Sequence, residues 1–137
     1  ILLSRGSAPY TKILAPIGGS ETSWVGVELA IDVARQLGAS VTLLHARAPQ
    51  FVAGDVGGAR AERIRRQAED IARLYKIDIN LIELEGNPIR QARDVAADHQ
   101  LVIVARRRGQ LNSYLRPDVG LRIALAVPGS SMLLSVG

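Results

Sequence analysis

The sequence predicts an α/β domain with a doubly wound, open, parallel sheet of five strands and helices on both faces. Short apolar runs of strand length alternate with longer segments in which apolar residues recur at helical spacing. Aromatic residues make up only 4% of the 137 residues and apolar residues 47%. The core is therefore built from Val, Ile, Leu and Ala, the usual filling of parallel sheets, and a chain of this length forms one domain.

The first strand and helix are marked by their ends. Lys12 to Ile17 (KILAPI) is a buried apolar run, and two glycines follow it as a tight turn. Ser20 is a candidate N-cap for a helix from Thr22 to Leu37, which Gly38 stops. Ser40 to Ala46 (SVTLLHA) is β-branched and apolar, and it completes a βαβ unit with a right-handed crossover.

The middle of the chain is predicted to hold a loop, a helix and an exposed strand. Arg47 to Gly58 contains Pro49 and three glycines and is expected to be irregular and mobile. A helix follows from about Ala59 to Lys76, with a dense alternation of charge on its solvated face. Asp78 to Glu83 (DINLIE) alternates with period two, which indicates a strand more exposed than the others.

Two further helices and two strands complete the pattern. Asn87 followed by Pro88 marks a helix start, as N-cap and first helical residue. Leu101 to Ala105 (LVIVA) is apolar throughout, as expected of a central parallel strand. The last helix is expected at about Asp118 to Ala126, and Met132 to Val136 (MLLSV) is the fifth strand.

The composition excludes several classes of function. The chain has no cysteine, so a disulfide framework, a thiol nucleophile and a thiolate zinc site are excluded and a reducing, cytoplasmic location is expected. Lys and Arg outnumber Asp and Glu by 17 to 13, but Trp24 and Phe51 do not lie among arginines, so a nucleic-acid partner is not expected. No grouping of residues supports catalysis or a metal site, and the protein is predicted not to be an enzyme.

The ends of the chain divide it into two predicted parts. No stretch approaches the roughly 20 apolar residues of a membrane span, and nothing resembles a signal peptide. Because the sequence begins at Ile1 rather than at Met, residues 1–11 are expected to be a linker or the remnant of a tag. The folded domain is expected to occupy residues 12–137.

Four segments together resemble the universal stress protein family. They are KILAPIGGSE at Lys12 to Glu21, ARQLGASVTLLHA at Ala34 to Ala46, EGNPIRQARDVAADHQLVIVA at Glu85 to Ala105, and AVPGSSMLLSV at Ala126 to Val136. Their order and spacing match the family from about Tyr10 to Val136. The resemblance implies that the five strands, counted from Lys12, lie in the order 3-2-1-4-5.

The chain departs from the motif with which ATP-binding members of that family hold phosphate. Those members carry two glycines three residues apart after the fourth strand, and a glycine followed by Ser or Thr at the next helix. In register, these positions are Ala105, Arg108, Asp118 and Val119. The family places an aspartate directly after its first strand, and in this sequence that position is Gly18. If the register is shifted by one residue, Gly109 takes the place of a motif glycine, but the later Gly-Ser or Gly-Thr pair is still absent. The resemblance therefore implies a degenerate member that binds ATP weakly or not at all.

The two glycines after the first strand, without the aspartate, resemble stress-protein domains at the cytoplasmic ends of membrane transporters and channels. This resemblance implies a regulatory or ligand-sensing tail in the same polypeptide as a transporter. The alternative is a free-standing universal stress protein that binds a nucleotide in an atypical pocket.

A candidate site for a small anionic ligand lies at the carboxyl ends of the first and fourth strands, the topological switch point of the sheet. Guanidinium groups would replace glycine amides there. Arg106 and Arg108 are expected on one side and Arg107 on the other, and Asp118 can neutralise one of them. The alternative is a solvated basic loop. The candidate residues are Gly18, Gly19, Ser20, Ala105, Arg106, Arg107, Arg108 and Gly109.

The last strand is predicted to be an exposed apolar edge. Such edges pair with other chains, and the family often dimerises in this way, so a homodimer is expected through the fifth strand. The residues of that edge are Met132, Leu133, Leu134 and Val136. His45 and His99 are expected to have structural roles.

Overall fold

The structure is a computed structural model that describes residues 1–4, 9–18, 20–47, 50–108 and 118–137, with the backbone alone for residues 50–57. These residues form six strands and four α-helices. A single 3₁₀ turn, Ala96–Asp98, follows the third helix. In chain order the elements are β1 (Leu2–Leu3), β2 (Lys12–Ile17), α1 (Glu21–Leu37), β3 (Ser40–Arg47), α2 (Gln50–Tyr75), β4 (Ile79–Glu85), α3 (Pro88–Val95), β5 (Leu101–Arg107), α4 (Val119–Ala126) and β6 (Ser130–Val136).

The sheet confirms the predicted α/β class and adds one strand to it. The order is β1-β6-β5-β2-β3-β4, and the five strands from β2 onward are parallel in the predicted order. The sixth strand, β1, pairs antiparallel with β6, so the prediction of five strands in a wholly parallel sheet was wrong at this edge. Two residues are too few for periodicity to reveal a strand. Leu2–Leu3 lies within the segment predicted as a linker or tag remnant, a prediction that stays open.

Helices cover both faces of the sheet. Because successive residues of a strand point to opposite faces, Ile13 packs under α1 and α2 whereas Leu14 packs under α3 and α4. The first face includes Val27, Ile31, Leu43, Ile64 and Ile103, and the second includes Leu44, Ala92, Val102, Ile123 and Val127. None of the helices in the described part of the chain is long and apolar enough to cross a membrane.

Helix α2 begins earlier than the sequence predicts. The segment Arg47 to Gly58 was expected to be irregular, but β3 continues to Arg47 and the helix begins at Gln50. Glycines inside a helix cost on the order of 1 kcal/mol each relative to alanine, which weakens a helix without ending it. The buried side chains of Ile64 and Ala68 anchor the later part of the helix on the sheet. Pro49 lies outside the described residues.

The central strands are aligned at their amino ends. The Gln100 Oε1 atom accepts hydrogen bonds from Thr11 N at 2.9 Å, Thr11 Oγ1 at 2.8 Å and Lys12 N at 2.7 Å. This places the start of β2 beside the start of β5, where Ile13 pairs with Leu101 and Leu14 with Val102. Pairing between these two strands stops there, whereas β2 and β3 pair along six residues.

Candidate functional site

A cavity of about 920 Å³ opens at the carboxyl ends of β2 and β5. This is the switch point of the sheet, because the chain runs from β2 toward one edge and from β5 toward the other. Pairing between β2 and β5 is confined to their first residues, so their carboxyl ends are free to separate. The cavity lies between Ile17 on one strand and Ala105 on the other.

Most of the predicted site residues line this cavity. Gly18 and Ser20 contribute from the turn after β2, and Ala105 to Arg108 contribute from β5 and the turn that follows it. Gly19 and Gly109 were also predicted, and they lie outside the described residues. The polar and apolar walls that α1, α3, α4 and β3 supply were not predicted from the sequence. These additional lining residues are Thr22, Ser23, Leu44, Ala46, Pro88, Gly120 and Ile123, and β5 adds Val104.

One predicted arginine is paired inside the protein. Arg106 Nη1 donates to Asp118 Oδ2 at 2.6 Å. Asp118 is the N-cap of α4, and its Oδ1 accepts from Leu121 N at 2.9 Å. The carboxylate is buried, with 1% of its side chain exposed, while the Arg106 side chain is 24% exposed. The negative charge of Asp118 therefore sits at the positive end of the α4 dipole and neutralises Arg106.

Two close packing contacts set the direction of the side chains on β5. A Cβ built on Gly26 of α1 would lie 3.2 Å from Ala105 Cβ, and one built on Gly120 of α4 would lie 3.4 Å from Arg106 Cβ. Ala105 thus faces α1 and Arg106 faces α4, as the alternation of a strand requires. The strand ends at Arg107, and Arg108 lies in the turn that follows, with its N–H donating to Val136 O at 2.6 Å. Alternation therefore does not determine the side on which Arg108 lies.

The opposite wall is the turn that joins β2 to α1. Ser20 is the N-cap residue of α1, as predicted, but its side chain makes no capping hydrogen bond with the described residues. Ser23 closes the turn instead, since its Oγ donates to Ser20 O at 2.8 Å and lies 3.2 Å from Gly18 O. The exposed residue Ser20 borders the cavity.

Comparison with known proteins identifies the family. A model described as the universal stress protein family matches residues 9–133. The chain belongs to this family. No curated protein matches the sequence.

Solved universal stress proteins share the fold. The structure is similar to universal stress protein UspA from Lactobacillus plantarum, with 14% identity, a TM-score of 0.78, and coverage of 93% of this chain and 99% of that one. It is similar to a universal stress protein in complex with cAMP, with 20% identity, a TM-score of 0.77, and coverage of 93% and 98%. It is also similar to a universal stress protein from Archaeoglobus fulgidus, with 17% identity, a TM-score of 0.74, and coverage of 93% of this chain and 94% of that one.

The two histidines of this universal stress protein domain lie in different environments. His99 is buried, with Nε2 at 3.0 Å from Thr42 Oγ1 and Nδ1 at 2.9 Å from Val95 O, so it joins α3 to β3. His45 is also buried, and its Nδ1 has no partner among the described residues. Burial lowers the pKa of His45, an effect that the nearby Glu83 carboxylate opposes. In the described residues no three His, Asp or Glu side chains are placed to hold a metal ion.

Proposed function

We propose that this universal stress protein domain is a regulatory, ligand-sensing module that binds a small ligand with one negative charge and does not bind ATP. The observation that carries the proposal is the carboxylate of Asp118, buried at the N-terminus of α4 and paired with Arg106 at 2.6 Å. The domain binds rather than catalyses, and its lack of cysteine suits a reducing compartment such as the cytoplasm.

The α4 terminus is the place where a phosphate would gain most from the backbone. Free N–H groups and the helix dipole favour anions at this position. Asp118 already accepts from Leu121 N and supplies a negative charge there. A phosphate at this helix end would have to take a position that a carboxylate already fills, and Arg106, the cation beside it, is already paired with that carboxylate. A triphosphate is therefore disfavoured here.

A ligand with a single charge suits the remaining groups. Arg107 and Arg108 are exposed at the mouth of the cavity, outside the Arg106–Asp118 pair. Apolar side chains form much of the interior, among them Ile17, Leu44 and Val104. This combination favours a ligand with an apolar or aromatic body that places its charge at the mouth. The similar protein solved with cAMP makes cyclic mononucleotides the first ligands to test.

Calorimetric titration tests this function. We expect no measurable heat from ATP at millimolar concentration, and binding of cAMP or a related cyclic nucleotide that weakens at least tenfold in an Arg107→Gln, Arg108→Gln variant. An Arg66→Gln, Arg73→Gln variant is the matched control, since it also removes two positive charges, from exposed positions on α2. Micromolar binding of ATP would overturn the proposal, and so would ligand binding that is equal in the control and in the Arg107→Gln, Arg108→Gln variant.

The runner-up is a free-standing nucleotide-binding stress protein with an atypical pocket, which the cAMP complex of a similar protein favours. Attachment to a transporter or channel is supported by Gly18 and Gly19 in place of the aspartate that nucleotide-binding members carry. The full-length gene separates the two, because membrane spans in the same reading frame support the regulatory tail. A gene that encodes no span overturns it. In either case we propose that the output is a homodimer formed through β6.

A further inference from the structure

The edge that the sequence predicts as an open dimer surface is partly covered by the chain itself. Ile1–Leu3, here called the N-terminal strap, lies antiparallel on β6, with Leu2 opposite Met132 and Leu3 opposite Ser131. Leu133 N donates to Ile1 O at 2.8 Å, and Ile1 N donates to Leu133 O at 3.0 Å. The prediction of an exposed edge at Met132 and Leu133 was therefore wrong, because the strap lies along the backbone of both residues.

The strap occupies most of the positions at which β6 can accept another strand. In a sheet every second residue turns its backbone groups toward a given neighbour. On the outer edge of β6 these residues are Ser131 and Leu133, which the strap pairs, and Ser135. Ser135 is exposed and has no backbone partner on that edge in the described part of the chain. Val136 turns inward, since its carbonyl accepts from Arg108 N.

The same three residues make β6 complementary to itself. A two-fold axis through Leu133 would pair Leu133 with Leu133 of a second copy and Ser131 with Ser135, so every outward backbone group would be satisfied. Met132 would lie opposite Leu134, giving two apolar cross-strand pairs on one face. A second copy and the strap therefore compete for Ser131 and Leu133.

We infer that the N-terminal strap is an autoinhibitory edge strand that must leave β6 before two copies of this chain can pair through it. The inference rests on the proposed homodimerisation. Tyr10 returns the chain to the same end of β6, where its hydroxyl donates to Ser130 Oγ at 3.2 Å. The strap is thus tethered next to its binding site, at an effective concentration on the order of millimolar.

Both copies must release the strap before they can pair. The apparent dissociation constant of the dimer therefore rises with the square of the ratio of closed to open strap. If it is closed about ten times as often as it is open, the apparent dissociation constant rises about 100-fold. Releasing the strap is therefore expected to lower the dissociation constant by at least tenfold.

Sedimentation equilibrium on the full chain tests the inference with two matched proline variants. Leu3→Pro removes the N–H that faces Ser131 and so releases the strap. Leu2→Pro is the control, since Leu2 lies in the intervening pair and its N–H faces away from β6. We expect dimerisation at least tenfold tighter in Leu3→Pro than in the wild type, and no change in Leu2→Pro. Ser135→Pro added to Leu3→Pro should abolish the gain.

A disulfide provides a second measurement. The chain has no cysteine, and Leu2 and Met132 are directly opposed, so a Leu2→Cys, Met132→Cys variant can lock the strap closed. We expect the oxidised form to stay monomeric and the reduced form to behave as the wild type. Equal dimerisation by the wild type, Leu3→Pro and the oxidised lock would refute the strap while leaving dimerisation intact. If the wild type and every variant are monomers, both the proposed dimerisation through β6 and the inference are refuted.

Discussion

Replacing Asp118 with alanine should destabilise the domain by about 3 kcal/mol. The loss of an N-cap side chain costs about 1 kcal/mol, because Leu121 N loses its acceptor. Breaking a fully buried ion pair costs roughly 3–5 kcal/mol. The Arg106 side chain is 24% exposed, and water can solvate part of its charge, so we take about 2 kcal/mol for this part. For a domain of this size the melting temperature should fall by on the order of 10 °C.

Urea unfolding followed by circular dichroism measures this change, and two related variants separate its parts. Asp118→Asn keeps a capping oxygen and removes the charge, so the difference between Asn and Ala reports the cap. A double-mutant cycle with Arg106→Gln reports the pair itself, for which we expect a coupling of at least about 1 kcal/mol. A loss below about 0.5 kcal/mol in Asp118→Ala, or additive effects in the cycle, would refute the account of this pair.

Three further predictions concern other parts of the domain. Asn87→Ala should lower the free energy of unfolding in urea by about 1 kcal/mol, since Asn87 Oδ1 accepts hydrogen bonds from Ile89 N and Arg90 N. Asn87→Asp should retain most of the stability, and equal losses in the two variants would contradict the capping role. Burial lowers the pKa of His45 below its ordinary 6.5. As the pH drops below 6.5 the unfolded chain therefore binds a proton that the folded chain does not, and the free energy of unfolding should fall. His45→Gln should flatten this dependence on pH, and an unchanged slope would count against the role of His45. The Lys12 hydrogen bond and, secondarily, the charge of His99 lower the pKa of Asp98, so Lys12→Met should raise that pKa toward 3.8 in an NMR titration, and the same pKa in both proteins would exclude the contact.

Local sequence patterns predicted most of the fold. The cap at Asn87 and the apolar run at Leu101 to Ala105 required only neighbouring residues, and the structure has a helix and a strand there. The strap was missed because its two strand residues form a strand only by pairing with β6, which lies over 120 positions away in sequence. The early start of α2 was missed because Pro49 and three glycines are typical of a loop, whereas glycine only weakens a helix and does not end it.

The sequence predicted the site residues that lie at the ends of strands, and it did not predict those that lie on helices. Gly18 and Ser20 follow β2, and Ala105 to Arg108 lie at the carboxyl end of β5 or directly after it, so the topology alone brings them to one crevice. Thr22 and Gly120 reach the cavity through the packing of α1 and α4, which no local pattern contains. The sequence suggested that Asp118 neutralises an arginine. That the partner is Arg106 depends on which face of β5 lies under α4.

The cap at the start of α4 also bears on how the domain responds to the cell's energy supply. A protein that leaves this helix end to a nucleotide phosphate is stabilised in proportion to how much nucleotide is present. Here the anion is Asp118, which is part of the chain and is always present at full occupancy. The folded state of this domain should accordingly be as stable in a starved cell as in a well-fed one, and its abundance should not follow the ATP level.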